Sequence, residues 1–162
     1  MIAFTRPPGG TATAAITLAP CPPARLDRLA HLRQLPGQYA ADGAEMIRDD
    51  AAGISFHEIR RGDEIVGCFK LDPLYHERHD FARAFSIGLR GVLVDAGSQG
   101  TGIGRKAMGM LGGYVRARFP RAREVVLTVN HLNPARGRSI SPRASATTAR
   151  ISLAARAGPS AS

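Results

Sequence analysis

Residues 99–106 read Gln-Gly-Thr-Gly-Ile-Gly-Arg-Lys, and this glycine loop decides the fold because of what stands on either side of it. Before it, residues 85–94 alternate apolar side chains as a strand does, and after it apolar residues recur at helical spacing from Ile103 to Val115. Glycines let the backbone approach a ligand closely, and the first N–H groups of a helix favour an anion. The stretch therefore predicts a strand-to-helix turn that binds phosphate or pyrophosphate.

The two commonest nucleotide-binding motifs do not fit this loop. A dinucleotide fingerprint starting at Gly100 requires glycine at the sixth position, which is Arg105 here. A P-loop requires Ser or Thr after its lysine, whereas Lys106 is followed by Ala107. The anion is therefore expected to belong to another class of ligand.

The spacing that does fit is Gln-x-x-Gly-x-Gly, with Gln99, Gly102 and Gly104 at the defining positions. With the strand before it and the sequence Leu-Thr-Val-Asn-His-Leu-Asn-Pro-Ala at 127–135, it resembles the acyl-CoA-binding region of the GNAT superfamily of N-acetyltransferases. The resemblance covers roughly residues 15–135. It implies a mixed α/β fold, a mostly antiparallel sheet with flanking helices known as the acyl-CoA N-acyltransferase fold.

The resemblance also implies a coenzyme site and a reaction. In that family the loop amides hold the CoA pyrophosphate, and the fourth strand is bulged and diverges from the fifth, so that the pantetheine arm pairs with exposed backbone. Acetyl-CoA is then the co-substrate, and the acceptor is a primary amine on a small molecule or peptide. The implied cofactor-binding residues are Leu93, Val94, Gln99, Gly100, Thr101, Gly102, Ile103, Gly104, Arg105 and Asn133.

The pattern along the chain predicts one N-acetyltransferase-like domain at 15–135, preceded by a flexible segment at 1–14. Gly88 and Gly91 fall inside the predicted long strand, where a bulge or a close backbone approach would explain them. Residues 72–84 are polar and predict a loop. Strands are predicted at 16–19, 54–59, 64–71, 85–94 and 124–129, and helices at 24–35, 103–119 and, more weakly, 38–50.

The segment 136–162 departs from the family pattern. It carries five arginines, no Asp or Glu, and only three large apolar side chains, so it is expected to be a basic, disordered tail, at most marginally helical around 148–157. The fold would then lack its last helix and strands, through a frameshift or truncation, with a specialised basic tail as the alternative. The edge of the fifth strand would be open, and self-association, including a homodimer through that edge, is expected.

The net charge of +9 raises a second reading of the function. More than half of the excess charge lies in 136–162, so the alternative is a non-catalytic basic protein whose arginine-rich tail contacts nucleic acid. Nucleic acid is nonetheless not the favoured partner. No apolar run approaches membrane-spanning length and no signal sequence is recognisable, so a cytoplasmic protein without a membrane partner is expected.

The catalytic residues stay unassigned at this level. The general base could be His57, Glu58 or Asp95, which the sequence does not rank, and Tyr114 lies on the apolar stripe of the predicted helix. The tyrosine that often protonates the departing thiolate in the family has no counterpart, because no Tyr follows Tyr114. No metal site is expected, because His76 and His79 are three apart in a polar loop and the two cysteines are 47 apart.

Overall fold

The computed structural model describes residues 14–37, 41–131 and 145–153. Its centre is a six-stranded sheet in which the strands follow one another in chain order from β1 to β6. The strands are β1 (Ile16–Cys21), β2 (Ser55–Arg61), β3 (Glu64–Asp72), β4 (Ser86–Val94), β5 (Glu124–His131) and β6 (Ser145–Ser152). The helices are α1 (Gly43–Met46), α2 (Tyr75–Arg78) and α3 (Ile103–Arg118), with 3-10 helices at Pro23–Leu29 and Ala96–Ser98.

One pair of neighbouring strands is parallel. β4 pairs with β5 in parallel, and the other four neighbouring pairs are antiparallel. A parallel pair needs a long crossover connection, and the glycine loop followed by α3 supplies it. The predicted mixed, mostly antiparallel α/β fold is therefore confirmed, and the loop lies at the carboxyl end of β4.

Helix α3 covers one face of the sheet. Its residues Ile103, Ala107, Leu111 and Val115 recur every fourth position and are buried, so they form one stripe that packs against the sheet. The opposite face is covered by residues 23–37 and 41–46, the second of which includes α1. The chain thus builds a core on each side of the sheet.

The segment before β2 is less helical than its spacing predicts. A single 3-10 helix ends at Leu29, and of the predicted second helix only α1 is formed within the described residues. A Cβ on Gly43 would lie only 1.9 Å from the carbonyl oxygen of Leu29, so the two segments approach closely at this glycine. The Gly43 N–H donates a hydrogen bond to the carbonyl oxygen of Leu32. Contacts between the segment after the 3-10 helix and the beginning of α1 thus replace the helical hydrogen bonds that the spacing predicts. The predicted loop at 72–84 likewise contains the one-turn helix α2.

The largest correction concerns the end of the chain. Residues 145–152 form β6, which pairs antiparallel with β5 along its whole length, from Glu124 opposite Ser152 to His131 opposite Ser145. The expected disorder, the marginal helix and the loss of every later strand are therefore wrong for this segment. Backbone pairing stabilises β6 without an apolar stripe, and Leu153 is buried in the core beneath α3. The rest of the expected tail, 136–144 and 154–162, and the N-terminal residues 1–13 lie outside the described residues.

The same strand removes the reason for expecting a dimer through β5. The edge of β5 that was expected to be open is occupied by β6, so its N–H and C=O groups have partners within the chain. Among the described strands, the edge on this side is now β6 itself, whose residues 148–152 are exposed and largely polar.

Candidate active site

The glycine loop forms a sharp turn from β4 into α3. Gly100 and Gly102 have φ of +77° and +80°, a left-handed conformation that side chains with a Cβ rarely adopt, and Gly102 caps α3. The N–H groups of the first helical turn have no acceptor within the helix, and the helix dipole adds positive potential there. The loop therefore presents a ring of backbone donors suited to an anion.

Gln99 fixes the shape of this turn. Its Nε2 donates hydrogen bonds to the carbonyl oxygen of Val94, at 2.9 Å, and to Oε1 of Gln34, at 2.7 Å. Thr101 Oγ1 donates to the carbonyl of Ser98 at 2.6 Å. The loop is therefore tied to the end of β4 and to the segment before α1.

A cavity of about 410 Å³ lies over the loop. Arg105 lines it, is exposed, and makes no ion pair with any carboxylate of the described residues. The cavity therefore combines backbone donors with an unpaired guanidinium. Its lining residues are Gln34, Val92, Val94, Ser98, Gln99, Gly100, Gly102, Ile103, Gly104 and Arg105.

Strand β4 is bulged directly below this cavity. On β3 one residue separates Cys68 from Lys70, whereas on β4 two residues, Gly91 and Val92, separate their partners Leu93 and Arg90. Gly91 has φ of +57°, which permits the extra residue to fit. Such a bulge bends a strand, so residues 92–94 run in a different direction from residues 86–90.

The bulge coincides with the point where β4 and β5 part. Their pairing ends at Leu89 and Leu127, although both strands continue, to Val94 and His131. Beyond that point the described part of the chain places no strand between them, so backbone groups of residues 90–94 face an open cleft. The predicted bulge and divergence are thus both present, and the cleft leads down from the glycine loop.

The second glycine of β4 has a different cause. A Cβ on Gly88 would lie 2.2 Å from a ring carbon of Tyr75, a buried residue of α2. Gly88 therefore allows a close approach of α2 to the sheet rather than a bulge. Both explanations that the sequence left open, a bulge and a close approach, are realised, at Gly91 and Gly88 respectively.

The structure brings most of the expected coenzyme residues to one place. Val94, Gln99, Gly100, Gly102, Ile103, Gly104 and Arg105 line the cavity. Thr101 belongs to the same loop, whereas the Leu93 side chain is buried in the opposite core, so only its backbone faces the cleft side. Asn133 lies outside the described residues. The additional lining residues are Gln34, Val92 and Ser98. Gln34 is 65 positions from Gln99, and no local pattern marks it.

His57 is held inside the core. Its Nδ1 is 2.8 Å from the hydroxyl of Tyr114, its Nε2 is 2.8 Å from that of Ser55, and its ring stacks on Phe69 at 5.0 Å. Burial, with a smaller contribution from the charge of Arg118, lowers the pKa of His57 to about 4. At neutral pH the imidazole is therefore uncharged and enclosed, and the Tyr114 hydroxyl is engaged with it.

The two other candidate bases also have structural roles. Glu58 is buried on the opposite face, where its carboxylate accepts from Nε of Arg60 at 2.6 Å and lies 3.8 Å from Arg28. Asp95 accepts from the backbone N–H of Arg33 at 2.9 Å and from that of Gly97 at 3.2 Å. Both carboxylates thus have partners within the fold.

A five-charge cluster does lie beside the bulge, on the sheet face away from α3. It consists of Asp49, Lys70, Asp72, Arg78 and Arg90. Burial alone would raise the pKa of Asp49, but the Lys70 hydrogen bond and the neighbouring cations outweigh it, so that the pKa is lowered. A Cβ on Gly91 would lie 3.0 Å from Cε of Met46 and 3.3 Å from Cε of Lys70, so the cluster lies next to the bulge.

Two further features bear on a possible metal site and a possible membrane span: the paired histidines and the helices. The rings of His79 and Tyr75 are tilted by 40° with their centroids 4.2 Å apart, and His76 belongs to α2. Within residues 14–37, 41–131 and 145–153, no group of three His, Cys, Asp or Glu is arranged to hold a metal ion. No helix among the same residues is long and apolar enough to span a bilayer.

Comparison with known families decides the class of protein. The family model of the acetyltransferase (GNAT) family matches residues 21–137, more than half of the chain. The chain belongs to this family. The N-acetyltransferase class that the resemblance implied is thereby confirmed. A search of curated protein sequences found no match.

Solved structures share the fold of this GNAT chain. A GNAT-family acetyltransferase from Desulfovibrio desulfuricans superposes with a TM-score of 0.58 and 14% identity, over 86% of this chain and all of the other. A spermidine N-acetyltransferase chimera, derived in part from Vibrio cholerae, gives a TM-score of 0.57 and 13% identity, over 85% of this chain and 95% of the other. An acetyltransferase from Thermus thermophilus gives 0.51 and 22%, over 75% and 80%. At these identities the likeness shows the fold alone.

Proposed function

We propose that this chain transfers the acetyl group of acetyl-CoA to a primary amine. The observation that carries the proposal is the alignment of three features in one cleft: the donor-rich glycine loop, the bulge at Gly91 and the parting of β4 from β5 at Leu89. The pyrophosphate fits the loop amides of residues 99–105, with Arg105 supplying a positive charge. The extended pantetheine arm fits the cleft, where it adds hydrogen bonds to the free edge of β4.

The reacting carbonyl belongs at the bulge. Extending down the cleft from the loop, the thioester reaches the segment at Gly91, where a backbone N–H that has left the ladder can donate to its oxygen. Such a fixed donor stabilises negative charge that develops on that oxygen as the amine attacks. The chemistry is a direct transfer, in which the new C–N bond forms and the C–S bond breaks within one complex of both substrates.

Proton transfer is the weak part of this site. The thiolate of CoA must gain a proton as it leaves, and the Tyr114 hydroxyl is engaged with His57 in the core. No tyrosine follows it in the sequence. We therefore expect water to supply this proton and turnover to fall well below the ordinary enzyme rate of about 10 per second.

The first test measures binding and transfer separately. Calorimetry with CoA is expected to show one site, and acetyl-CoA with a mixture of amines is expected to release CoA thiol slowly. A chain that binds no CoA would contradict the placement of the coenzyme. A chain that binds CoA but releases thiol at an ordinary enzyme rate would contradict the absence of a general acid.

A further inference from the structure

The five-charge cluster beside the bulge does not balance its charge. Lys70 Nζ lies 2.5 Å from Asp49 Oδ2, and Arg78 lies 2.5 Å from Asp72 Oδ1, so each carboxylate has a close cation. Arg90 is the fifth member, and its guanidinium is 4.0 Å from Asp49 and 3.5 Å from Asp72. Two acids facing three bases leave one excess positive charge, which is carried by Arg90.

The donors of Arg90 are also largely unused. Neither of its ion-pair contacts is a hydrogen bond, and its guanidinium donates no hydrogen bond to another described residue. The side chain is 36% exposed, whereas the side chain of its buried neighbour Asp72 is 0% exposed. A guanidinium has five N–H donors in a planar fork, a geometry that matches a carboxylate.

The sequence shows that no further carboxylate side chain can neutralise this charge. All 13 Asp and Glu residues of the chain fall within 14–37, 41–131 and 145–153. The ion pairs of Arg90 with side-chain carboxylates are therefore all known. The excess positive charge beside the bulge is therefore not neutralised by a side-chain carboxylate of this chain, and it can attract an anion of a bound ligand.

The position of Arg90 links it to the acceptor. It directly precedes Gly91 and pairs with Lys70 across the sheet, so its side chain shares the face that carries the cluster. Helix α3 covers the other face. Because Arg90 directly precedes the bulge and its side chain is partly exposed, a carboxylate bound to it would hold the acceptor beside the segment where the thioester is proposed to react.

We propose that Arg90 binds the carboxylate of the acceptor, and that the acceptor is therefore an amino acid or a similar amine that carries a carboxylate. This inference rests on the proposed function. The amine attacks as the neutral base, the C–N bond forms as the C–S bond breaks, one proton passes to the CoA thiolate and the ammonium proton goes to water. A polyamine such as spermidine is disfavoured, because its charges add to the excess positive charge of the cluster.

The test compares amino acids with their amides, which keep the amine and the side chain but lose the negative charge. Protein loaded with CoA is titrated with a panel of amino acids, each beside its primary amide, and with spermidine. Acids are expected to bind about 10- to 100-fold more tightly than amides, the range for hydrogen bonds to a charged group. Arg90→Gln is expected to abolish this preference, and Arg90→Lys to restore part of it.

Arg121→Gln is the matched control. Arg121 is an exposed arginine close to the beginning of β5 and makes no ion pair with a carboxylate of the described residues, so its replacement is expected to leave the preference unchanged. Thermal melting checks that each variant is folded. The absence of a preference for acids over amides across the panel, in protein that binds CoA, would overturn the inference. A preference for acids without acetyl transfer to any amine would instead overturn the proposed function and leave the Arg90 site standing.

Discussion

Gln99 donates a hydrogen bond to the main-chain carbonyl of Val94, so the first residue of the glycine loop is tied to the last residue of β4. The glycine loop and the bulged strand are therefore joined directly. A coenzyme whose pyrophosphate is bound at the loop would therefore have its extended arm placed along the end of β4. The bulge at Gly91 lies five residues before Ala96, where the 3-10 helix that leads into the loop begins.

Gly102→Asp is expected to lower CoA affinity by at least about tenfold. The new carboxylate would stand at the N-terminus of α3, where it satisfies the helix dipole and repels the pyrophosphate. Gly109→Asp adds the same charge at an exposed position of the same helix with open space around it, and serves as control. Calorimetry with CoA gives the comparison. Equal affinity of the two variants would show that the anion binds elsewhere.

Gly88→Ala and Gly109→Ala are expected to act in opposite directions on the free energy of unfolding. An added Cβ at Gly88 would overlap the buried ring of Tyr75, and such overpacking costs about 1–3 kcal/mol. At Gly109 the Cβ meets nothing, and a helical alanine is favoured over glycine by about 1 kcal/mol. Urea denaturation measures both. A stable Gly88→Ala protein would mean that α2 does not pack on β4.

His57 is expected to make the protein sensitive to acid. Its pKa is about 4 in the fold and about 6.5 in the unfolded chain, so below about 6.5 the unfolded state binds a proton that the folded state does not. This contribution lowers stability progressively as the pH falls from 6.5 to 4, by about 3 kcal/mol at most. His57→Phe keeps a ring against Phe69 and removes the titration. Unfolding free energies at pH 7 and pH 4.5 should therefore differ less in the variant, and an unchanged difference would exclude His57 as the source.

Leu153→Ala is expected to destabilise the protein by about 2–5 kcal/mol, because Leu153 is buried under α3. Ile151→Ala is the matched control, since Ile151 belongs to the same segment but is 38% exposed. Urea denaturation of both variants tests whether the end of the chain is part of the fold. Equal, small effects would return the segment to the disordered tail that its composition predicts.

Most of the sheet and α3 could be predicted from the sequence, because their signals are local. Alternation in 64–71 predicts a strand, although this strand proves to be buried on both faces, and the four-residue spacing from Ile103 to Val115 marks one buried stripe. The glycine loop was also recognisable, since Gly100 and Gly102 need left-handed backbone that other residues avoid. These elements could be predicted because the residues that determine each of them lie within one short segment of the sequence.

The remainder depends on contacts between distant segments. β6 carries Thr, Ala and Arg where a strand usually shows apolar alternation, and it is stabilised by backbone pairing with β5. The Gln34 contact with Gln99 spans 65 positions, and the pair of Asp49 with Lys70 spans 21. No single window contains both members of such a pair, so neither the closing strand nor the charge of the cleft could be read from local pattern.

Leu89 and Leu127 form the last pair of β4 and β5, and this pair sets the depth of the cleft between the two strands. Beyond it β4 continues for five residues, which at about 3.3 Å each gives the cleft a depth of about 16 Å. With the pyrophosphate fixed at the rim, this floor limits how far an acyl group can extend. A longer acyl chain would have to break that ladder pair, so on the proposed mode of binding the sheet itself selects short acyl donors.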